Sequence, residues 1–473
     1  MAIFYNAGET KKRPGVYQRH TNVGFTAEST VRDGICAIPV QASWGPLGKV
    51  VKNTQISDLE KNYGAGTYGT GYTIPAAAAM FEGGASTVYT YRLGTGGTAA
   101  SKEVADGLTA TAKYPGTMEI SVAGQNKLGD STKKLFQVYA AKALVETWEF
   151  AADGAAEGAN LIAAAAASQY VTLTAETAPA TVPVLAVASG ALTGGANPTV
   201  ANSDYSAAFA ALEPYYYNTI ALDVNEDENM TLGLLLQSYL DNAYRTGKLG
   251  IAVLGEKTTV AFETRCAHAK AFNDAKVVYL GGGWKAGTES KDGVLAICYT
   301  AGVIASTPSN QGITRTTITG ATDICEALTY AQYEEAIDAG MLMVSRATDG
   351  TIWYDSGLTT LINPEAAAQD EGWKKIRRVK VRFELIDRLD RVLAPKVGKV
   401  SADSDGIADI IQAGQRVLDQ MVNEGKLHSG ATFAADPTNP YSGDSAWFVI
   451  QADDIDSLEK IYLQYRFRYR QDS

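Results

Sequence analysis

Residues 217–282, YNTIALDVNEDENMTLGLLLQSYLDNAYRTGKLGIAVLGEKTTVAFETRCAHAKAFNDAKVVYLGG, decide the fold of this 473-residue chain. Three short apolar runs, YNTIALD, LGIAVLG and AKVVYLGG, are typical of strands, and the segments between them, 229–245 and 258–272, have helical spacing. Strands that alternate with helices of this length indicate βαβ units. The segment therefore predicts an α/β fold on a mixed, mainly parallel sheet.

The same alternation continues on both sides of this segment. Downstream, an apolar helix is predicted over 293–305, followed by strands at MLMVSR and TIWY. Upstream, GICAIPVQ and STVYTYR are typical of strands, and a helix begins at Pro75 between them. We therefore expect residues 21–95 and 203–355 to form one discontinuous core domain.

Residues 96–202 differ from the flanking sequence in composition. They are rich in Ala, Thr and Gly, and β-prone pieces such as LFQVYAA and YVTLTA lie between turn residues. The one helical signal lies at 159–168. This pattern predicts an inserted β-rich domain, which we expect on the outer surface because insertions are tolerated there.

Residues 356–460 predict a C-terminal α+β domain, which makes the whole an α/β (α+β) multidomain protein. Apolar residues recur at helical spacing from Ile407 to Met421, and AWFVIQ is typical of a strand. A basic stretch at 374–399 contains ten Lys or Arg against three acids. It is interpreted either as a solvated, ion-paired face or as a docking surface for an acidic protein. RNA binding is a weaker option, because aromatic side chains for base stacking are scarce.

Residues 461–473 begin with side chains that alternate strictly between an apolar and a polar face. The apolar face contains Ile461, Leu463, Tyr465, Phe467 and Tyr469. This pattern predicts a half-buried strand over 461–470, which has to join a sheet because an unpaired apolar strand would aggregate. The sheet belongs either to the same subunit or to a neighbour, by strand addition.

Residues 1–20, which are polar and contain Pro14-Gly15, predict an N-terminal arm outside the core.

The overall charge and hydropathy exclude several classes of partner. The formal net charge of −11 argues against nucleic acid, since phosphate binding needs a concentrated positive field. No apolar run of about 18 residues predicts a membrane span. The opening MAIFYNAGETKKRPG lacks the order of a signal peptide, which indicates a protein made and kept in a cytoplasm.

No motif predicts a catalytic residue, a cofactor or a metal site. Cys266 and His268 lie two residues apart on a predicted helix, so their side chains diverge. The glycines at 281–283 lack both nucleotide-binding patterns. The acidic run 453–456 predicts a helix N-terminus, where carboxylates complement the helix dipole. An enzyme with a noncanonical site on the α/β core remains the alternative.

Four segments, in their order and spacing, resemble the tail sheath proteins of contractile phage tails and contractile bacteriocins. They are RPGVY at 13–17, IPAAAAMFEGGASTVYTYR at 74–92, RRVKVRFELIDRLDRVLAPKVGKV with the following helix at 377–422, and WFVIQADDIDSLEKIYLQYRFRY at 447–469. After Lys399 the chain reads VSADSDG, where the family would have an asparagine-rich turn ending in arginine. Residues 96–202 correspond to a region where such proteins vary.

This resemblance implies a structural protein that is not an enzyme and needs no cofactor. Its copies would stack as hexameric rings around an inner tail tube, and contraction would drive the tube through a bacterial envelope for genome delivery or killing. The implied partners are further copies, the tube protein, and baseplate and tail terminator proteins. The implied location is a phage tail or bacteriocin particle assembled in the host bacterial cytoplasm. Another lattice-forming structural protein is the second alternative, and it should carry a secretion signal.

The resemblance also implies where copies of the chain contact each other and the tube. Both terminal arms would add strands to sheets of neighbouring subunits. The linking residues are expected to be Val16, Tyr17, Ile461, Leu463, Tyr465, Phe467 and Tyr469. A basic patch is expected to face the inner tube, formed by Lys374, Lys375, Arg377, Arg378, Lys380 and Arg382.

Overall fold

The structure is a computed structural model that describes residues 3–4, 17–18, 32–64, 68–69, 72–105, 107–175, 190–226, 230–365 and 369–468. Its helices are α1 Ile56–Tyr63, α2 Ile74–Glu82, α3 Glu157–Ala164, α4 Asn202–Leu212, α5 Thr231–Arg245, α6 Phe262–Phe272, α7 Val294–Ser306, α8 Tyr330–Asp338, α9 Ile376–Leu393 and α10 Ser404–Asn423. Within these described ranges, no helix combines the length and the hydropathy needed to cross a bilayer.

The strands are short and belong to several sheets. In chain order they are β1 Ile3–Phe4, β2 Tyr17–Gln18, β3 Ile35–Val40, β4 Val50–Asn53, β5 Thr87–Arg92, β6 Ser101–Ala105, β7 Leu108–Ala112, β8 Ile120–Asn126, β9 Lys133–Ala140, β10 Ala143–Ala151, β11 Val171–Ala175, β12 Gly190–Ala191, β13 Thr219–Ala221, β14 Ile251–Gly255, β15 Val277–Leu280, β16 Trp284–Ala286, β17 Glu289–Lys291, β18 Asp323–Ile324, β19 Met341–Leu342, β20 Val344–Arg346, β21 Ile352–Tyr354, β22 Thr432–Ala435 and β23 Phe448–Gln451.

A seven-stranded sheet forms the centre of the molecule, in the order β19-β15-β14-β13-β3-β5-β4. All neighbours are parallel except β4, which runs antiparallel to β5 at one edge. Thr219 of β13 lies opposite both Cys36 of β3 and Ile251 of β14, so strands from before and after residues 96–202 join in one sheet. The predicted α/β architecture with a mainly parallel sheet is confirmed.

Helices cover both faces of this sheet. Val253 of β14 packs in the core that contains α2 and α7, whereas its neighbours Ala252 and Leu254 pack in the core that contains α4, α5 and α6. All five residues of β14 are buried. A strand buried on both sides needs apolar residues at every position, which explains the continuous run LGIAVLG in the sequence.

Two glycines allow α2 and α7 to pack closely. A Cβ on Gly302 of α7 would lie 2.1 Å from the carbonyl oxygen of Met80, and one on Gly83 would lie 2.1 Å from that of Tyr299. Three of the four alanines of α2, Ala76, Ala77 and Ala79, are also buried. The small residues of IPAAAAMFEGG therefore set the distance between the two helices.

The strands between residues 101 and 191 form two sheets of their own. The sheet orders are β10-β9-β8-β12 and β11-β7-β6, and together with α3 they enclose a separate apolar core that includes Leu108, Phe136 and Leu161. Trp44, from the loop after β3, also lies in this core and packs against Tyr114 and Tyr170. One aromatic side chain of the central unit is thus buried inside the β-rich segment.

Arg92, at the end of β5, joins the same two regions by hydrogen bonds. Its fully buried guanidinium donates to the carbonyl oxygens of Ala42 (3.1 and 2.8 Å), Gly45 (2.7 Å) and Pro115 (2.8 Å). Burial lowers the pKa of Arg92 to about 10, so the side chain stays protonated at neutral pH. A single cation therefore satisfies three loop carbonyls that would otherwise be buried without a donor.

Helices α9 and α10 and the hairpin β22–β23 form the last unit. Val381 and Leu389 of α9 pack with Val417, Leu418 and Met421 of α10 and with Phe433 of the hairpin. A second face of α9 carries Ile376, Val379 and Phe383, which belong to the main core beside the central sheet. Helix α9 is thus shared by two cores.

Candidate assembly surface

The described residues after Lys460 contain several large apolar side chains that are exposed to solvent. We call residues 461–473 the tail; residues 461–468 of it are described. Ile461, Leu463, Tyr465 and Phe467 are 69 to 93% exposed. Residues 461–468 form no strand with a sheet of their own subunit, so the first of the two alternatives is not observed for them. A strand formed with a neighbour's sheet stays a prediction, and residues 469–470 lie outside the described part of the chain.

The other expected linking residues fall mostly outside the described part of the chain. Val16 and Tyr469 lie outside it. Tyr17 is described in its backbone only, as part of a two-residue parallel ladder in which it lies opposite Ile3. The role of these three residues stays a prediction.

A short acidic segment, residues 453–459, precedes the tail and lies along α9. We call it the strap. Arg378 donates to Asp454 through Nε (2.5 Å) and NH2 (2.9 Å), and Arg382 donates to the same carboxylate at 3.1 Å. Lys375 pairs with Asp456 at 2.9 Å and with Glu459 at 3.0 Å. The three cations at 375, 378 and 382 share one face of the helix, since residues three and four apart are neighbours there.

Backbone hydrogen bonds also hold the strap in place. The amide of Ile455 donates to the carbonyl oxygen of Lys426 at 3.0 Å, and the amide of His428 donates to that of Asp453 at 2.8 Å. Thr314 donates its hydroxyl to Glu459 at 3.0 Å. The prediction that 453–456 begins a helix is wrong: these carboxylates complement the side chains of α9 rather than a helix dipole.

The pKa of Asp454 reflects these contacts. Burial acts to raise it, but the hydrogen bonds from Arg378 and Arg382 outweigh burial and hold the pKa below its ordinary value of 3.8. The same balance applies to Lys375, where burial lowers the pKa and hydrogen bonds to Asp456 and Glu459 raise it above its ordinary value. Both shifts favour the charged forms of Asp454 and Lys375.

We expect Asp454→Asn to lower the free energy of unfolding by about 2 kcal/mol at pH 7, because the three charged hydrogen bonds from Arg378 and Arg382 are weakened. A carboxylate with a depressed folded-state pKa contributes stability above its unfolded pKa, and this contribution is lost as pH falls through the folded pKa. The difference between wild type and the variant should therefore shrink below about pH 4. Urea unfolding at pH 3 to 7 measures it. The exposed Asp338→Asn serves as control and should change stability by less than about 0.5 kcal/mol at every pH; an equal loss in both variants would contradict the role of the strap.

Two residues of the expected tube-facing patch are buried inside the subunit. Lys380 donates to the carbonyl oxygens of Ile304 (2.5 Å) and Thr307, near the C-terminal end of α7. Burial lowers the pKa of Lys380 to about 8. Arg377 is also buried and lies 3.4 Å from the hydroxyl of Ser457. The patch is corrected in these two positions: neither side chain can contact another protein from here.

The remaining four residues of that patch have their charges engaged within the subunit. Lys375, Arg378 and Arg382 bind the strap, and Lys374 pairs with Glu371 at 2.8 Å. The geometry of the basic stretch is therefore that of an ion-paired face. Sequence reasoning missed this pairing, and the signal that could have indicated it is the spacing of the cations at 375, 378 and 382 together with the acids at 454, 456 and 459.

The carboxyl edge of the central sheet, where α/β enzymes bind their ligands, is closed by internal hydrogen bonds. Asp223 after β13 is buried and accepts from Tyr205 at 2.6 Å and Thr73 at 2.8 Å. Glu256 after β14 accepts from Tyr279 at 2.6 Å and lies 3.0 Å from Nδ1 of His268. Over the described ranges, no group of three or more His, Cys, Asp or Glu is placed to hold a metal ion. Both acids are engaged in hydrogen bonds within the subunit.

The hairpin β22–β23 is a small two-stranded sheet. Its register pairs Thr432 with Gln451 and Ala435 with Phe448. Gln415 of α10 occupies the outer edge of β22, because it accepts from the amide of Phe433 (2.9 Å) and donates to the carbonyl oxygen of Ala431 (3.0 Å). Among the described residues, no strand pairs with the outer edge of β23. Val449 and Ile450 on β23 are exposed. Such an edge is a template for a further strand.

Comparison with known proteins gives consistent findings. The family model of the phage tail sheath protein central domain matches residues 199–355. The phage-like element PBSX protein XkdK of Bacillus subtilis (strain 168) is 25% identical over 475 residues, covering 97% of this chain and 98% of that protein. Sheath tail protein Lin1278 from Listeria innocua has a TM-score of 0.69 at 19% identity, covering 90% of this chain and 96% of that one. The contracted helical sheath of the anti-feeding prophage has a TM-score of 0.55 at 11% identity, covering 97% and 99%.

Proposed function

Because the chain belongs to the contractile tail sheath family, we propose that it polymerises as the sheath around an inner tail tube and drives that tube through a bacterial envelope when the sheath contracts. It is a structural protein of a contractile injection system and not an enzyme. The particle is a phage tail or a bacteriocin, assembled in the host cytoplasm from copies stacked in hexameric rings.

The observation that carries this proposal is the tail. Four large apolar side chains of the tail are exposed, and the strap that precedes them is bound to the α9 region by four ion pairs. A monomer gains nothing from holding such a segment out in solvent. A polymer gains an interface, because burying each of these side chains contributes about 1.5–3 kcal/mol before the cost of ordering.

Strand addition is the mode of linkage that fits contraction best. Main-chain hydrogen bonds between a tail and a neighbour's sheet persist while rigid domains rotate, whereas side-chain contacts between domains have to change partners. The tail, through Ile461, Leu463, Tyr465, Phe467 and Tyr469, and the arm around Val16 and Tyr17 are the proposed linking elements. The outer edge of β23 is the proposed acceptor.

The other proposed partners follow from the same function. The inner tube protein occupies the lumen, and baseplate and tail terminator proteins bind the two ends of the sheath. Of the basic patch, the half-exposed Lys374, Lys375, Arg378 and Arg382 are the residues left for tube contact. The β-rich segment at 96–202 faces outward.

Oligomeric state tests the proposal against an enzyme on the α/β core. A sheath protein is expected to elute from a sizing column as a monomer that converts to very large polymer as concentration rises. An enzyme typically forms a small closed oligomer whose size does not depend on concentration. Analytical ultracentrifugation over a hundredfold range of concentration separates the two cases, and a fixed dimer or hexamer throughout would count against the sheath.

A further inference from the structure

An open apolar groove of about 290 Å³ lies at the far end of α9. It is formed by the turn between α9 and α10, the first turns of α10, and the loop before β23. Its apolar lining consists of Leu393, Val397, Val400, Ile407, Ile410, Tyr441 and Phe448. Val397 is 79% exposed and Tyr441 is also exposed, so this surface is uncovered in the single chain.

The tail of the same chain leads away from this groove. Along the strap, Asp454 contacts Arg378 and Arg382, and Glu459 contacts Lys375, so the chain runs towards the N-terminal end of α9. The groove begins at Leu393, the other end of this 18-residue helix, about 27 Å away. From Glu459, the six residues to Tyr465 span at most about 22 Å when fully extended. Tyr465 therefore falls short of the groove, and Phe467, which is 93% exposed, does not occupy the groove of its own chain.

The groove and the tail match in both apolar and charged groups. Tyr465 and Phe467 lie on the same face of the tail, with their rings stacked at 6.2 Å. The opposite face carries Arg466 and Arg468. The exposed carboxylate of Asp444 lines the groove. The charge of Lys396, which also lines it, is paired with Asp409 at 2.8 Å. Aromatic side chains in the groove would thus place the tail's arginines near the carboxylate of Asp444.

We propose that this groove receives the side chains of Tyr465 and Phe467 from the tail of a second copy of the chain. The proposal rests on the proposed function, in which tails link copies, and it names the surface that receives them. The groove lies beside Phe448 of β23, so a tail whose strand pairs with the hairpin edge can place these side chains in it. The groove would then set the register of the added strand.

Crosslinking of two different chains, each with a single introduced cysteine, tests this assignment. One full chain carries Val397→Cys and the other Phe467→Cys, both with Cys325→Ser, because the other three cysteines are buried. The chains are mixed under polymerising conditions and treated with a short bismaleimide. We expect a covalent dimer in at least about tenfold higher yield than with Leu128→Cys in place of Val397→Cys. Leu128 is 99% exposed on the β-rich segment and serves as the matched control.

Three results would overturn the assignment. Equal yields for the Val397 and Leu128 positions in a sample that forms tubes would reject the groove and leave the sheath function intact. If Phe467→Cys crosslinks to Ala434→Cys on β22 but not to Val397→Cys, the tail binds the hairpin and does not enter the groove. Absence of both tubes and crosslinks would count against the proposed function as well. Ile407→Glu, which places a charge in the half-exposed lining, should abolish the crosslink to Val397→Cys without unfolding the chain.

Discussion

A chain that lacks residues 460–473 is expected to fold as the wild type does and to remain monomeric at concentrations at which the wild type polymerises. Residues 461–468 are exposed and add nothing to any apolar core, so their loss should leave the free energy of unfolding within about 0.5 kcal/mol of wild type. Each joint between copies loses the five apolar linking side chains of the tail, of which the four that the structure describes are exposed. After the cost of ordering them, this is about 4 kcal/mol per joint, or about a thousandfold in binding constant.

Two full-length variants distinguish the contribution of the apolar face of the tail to polymerisation from that of the polar face. In the first, Ile461, Leu463, Tyr465 and Phe467 are all changed to Ser, and we expect it to behave like the deletion. In the matched control, Arg466 and Arg468 are changed to Lys, which keeps the charge and the apolar face, and we expect it to polymerise. Sedimentation and circular dichroism report assembly and folding. Normal polymerisation of the serine variant would contradict the proposal that the tail links copies.

Replacing Arg92 by Met is expected to lower the free energy of unfolding by about 3–5 kcal/mol. This is a large fraction of the total free energy of unfolding of a typical domain. The methionine fills much of the volume but leaves the carbonyl oxygens of Ala42, Gly45 and Pro115 without their donor. Since these loops also place Trp44 in the core of the β-rich segment, that segment should lose protection first. Hydrogen exchange followed by mass spectrometry measures it.

Arg346→Met is the control for this change. Arg346 is half exposed and makes one ion pair, with Asp323 at 3.3 Å. Such a pair contributes at most about 1 kcal/mol. A comparable loss of stability in the two variants would mean that the buried hydrogen bonds of Arg92 are not what joins the two regions.

The sequence predicts the central sheet well, because strands buried on both faces are continuous apolar runs that no surface pattern can mimic. The runs that contain β3, β13, β14 and β15 were each identified as strands, and the intervening helices follow from their spacing. The helix α9 was not identified. Its apolar residues Ile376, Val379, Phe383 and Leu389 face two different cores, so they do not form the single stripe that marks an amphipathic helix.

The assembly surface is harder to predict for a physical reason. Whether a cation such as Lys380 faces solvent or a helix C-terminus depends on packing between α7 and α9, which are separated by 69 residues in sequence. The tail has the pattern of a strand, but a strand exists only where a partner completes its hydrogen bonds. The alternation of residues 461–470 therefore indicates an interface, and the single chain does not contain the other half of it.

Negative-stain electron microscopy tests most directly the central claim that this chain polymerises as a sheath. The sample is the purified full chain at high concentration, with the inner tube protein co-expressed as template. We predict regular hollow tubes, formed by the wild type and absent from the chain that lacks residues 460–473. A uniform population of small closed oligomers, with no tubes even on the template, would contradict the account and favour an enzyme on the α/β core.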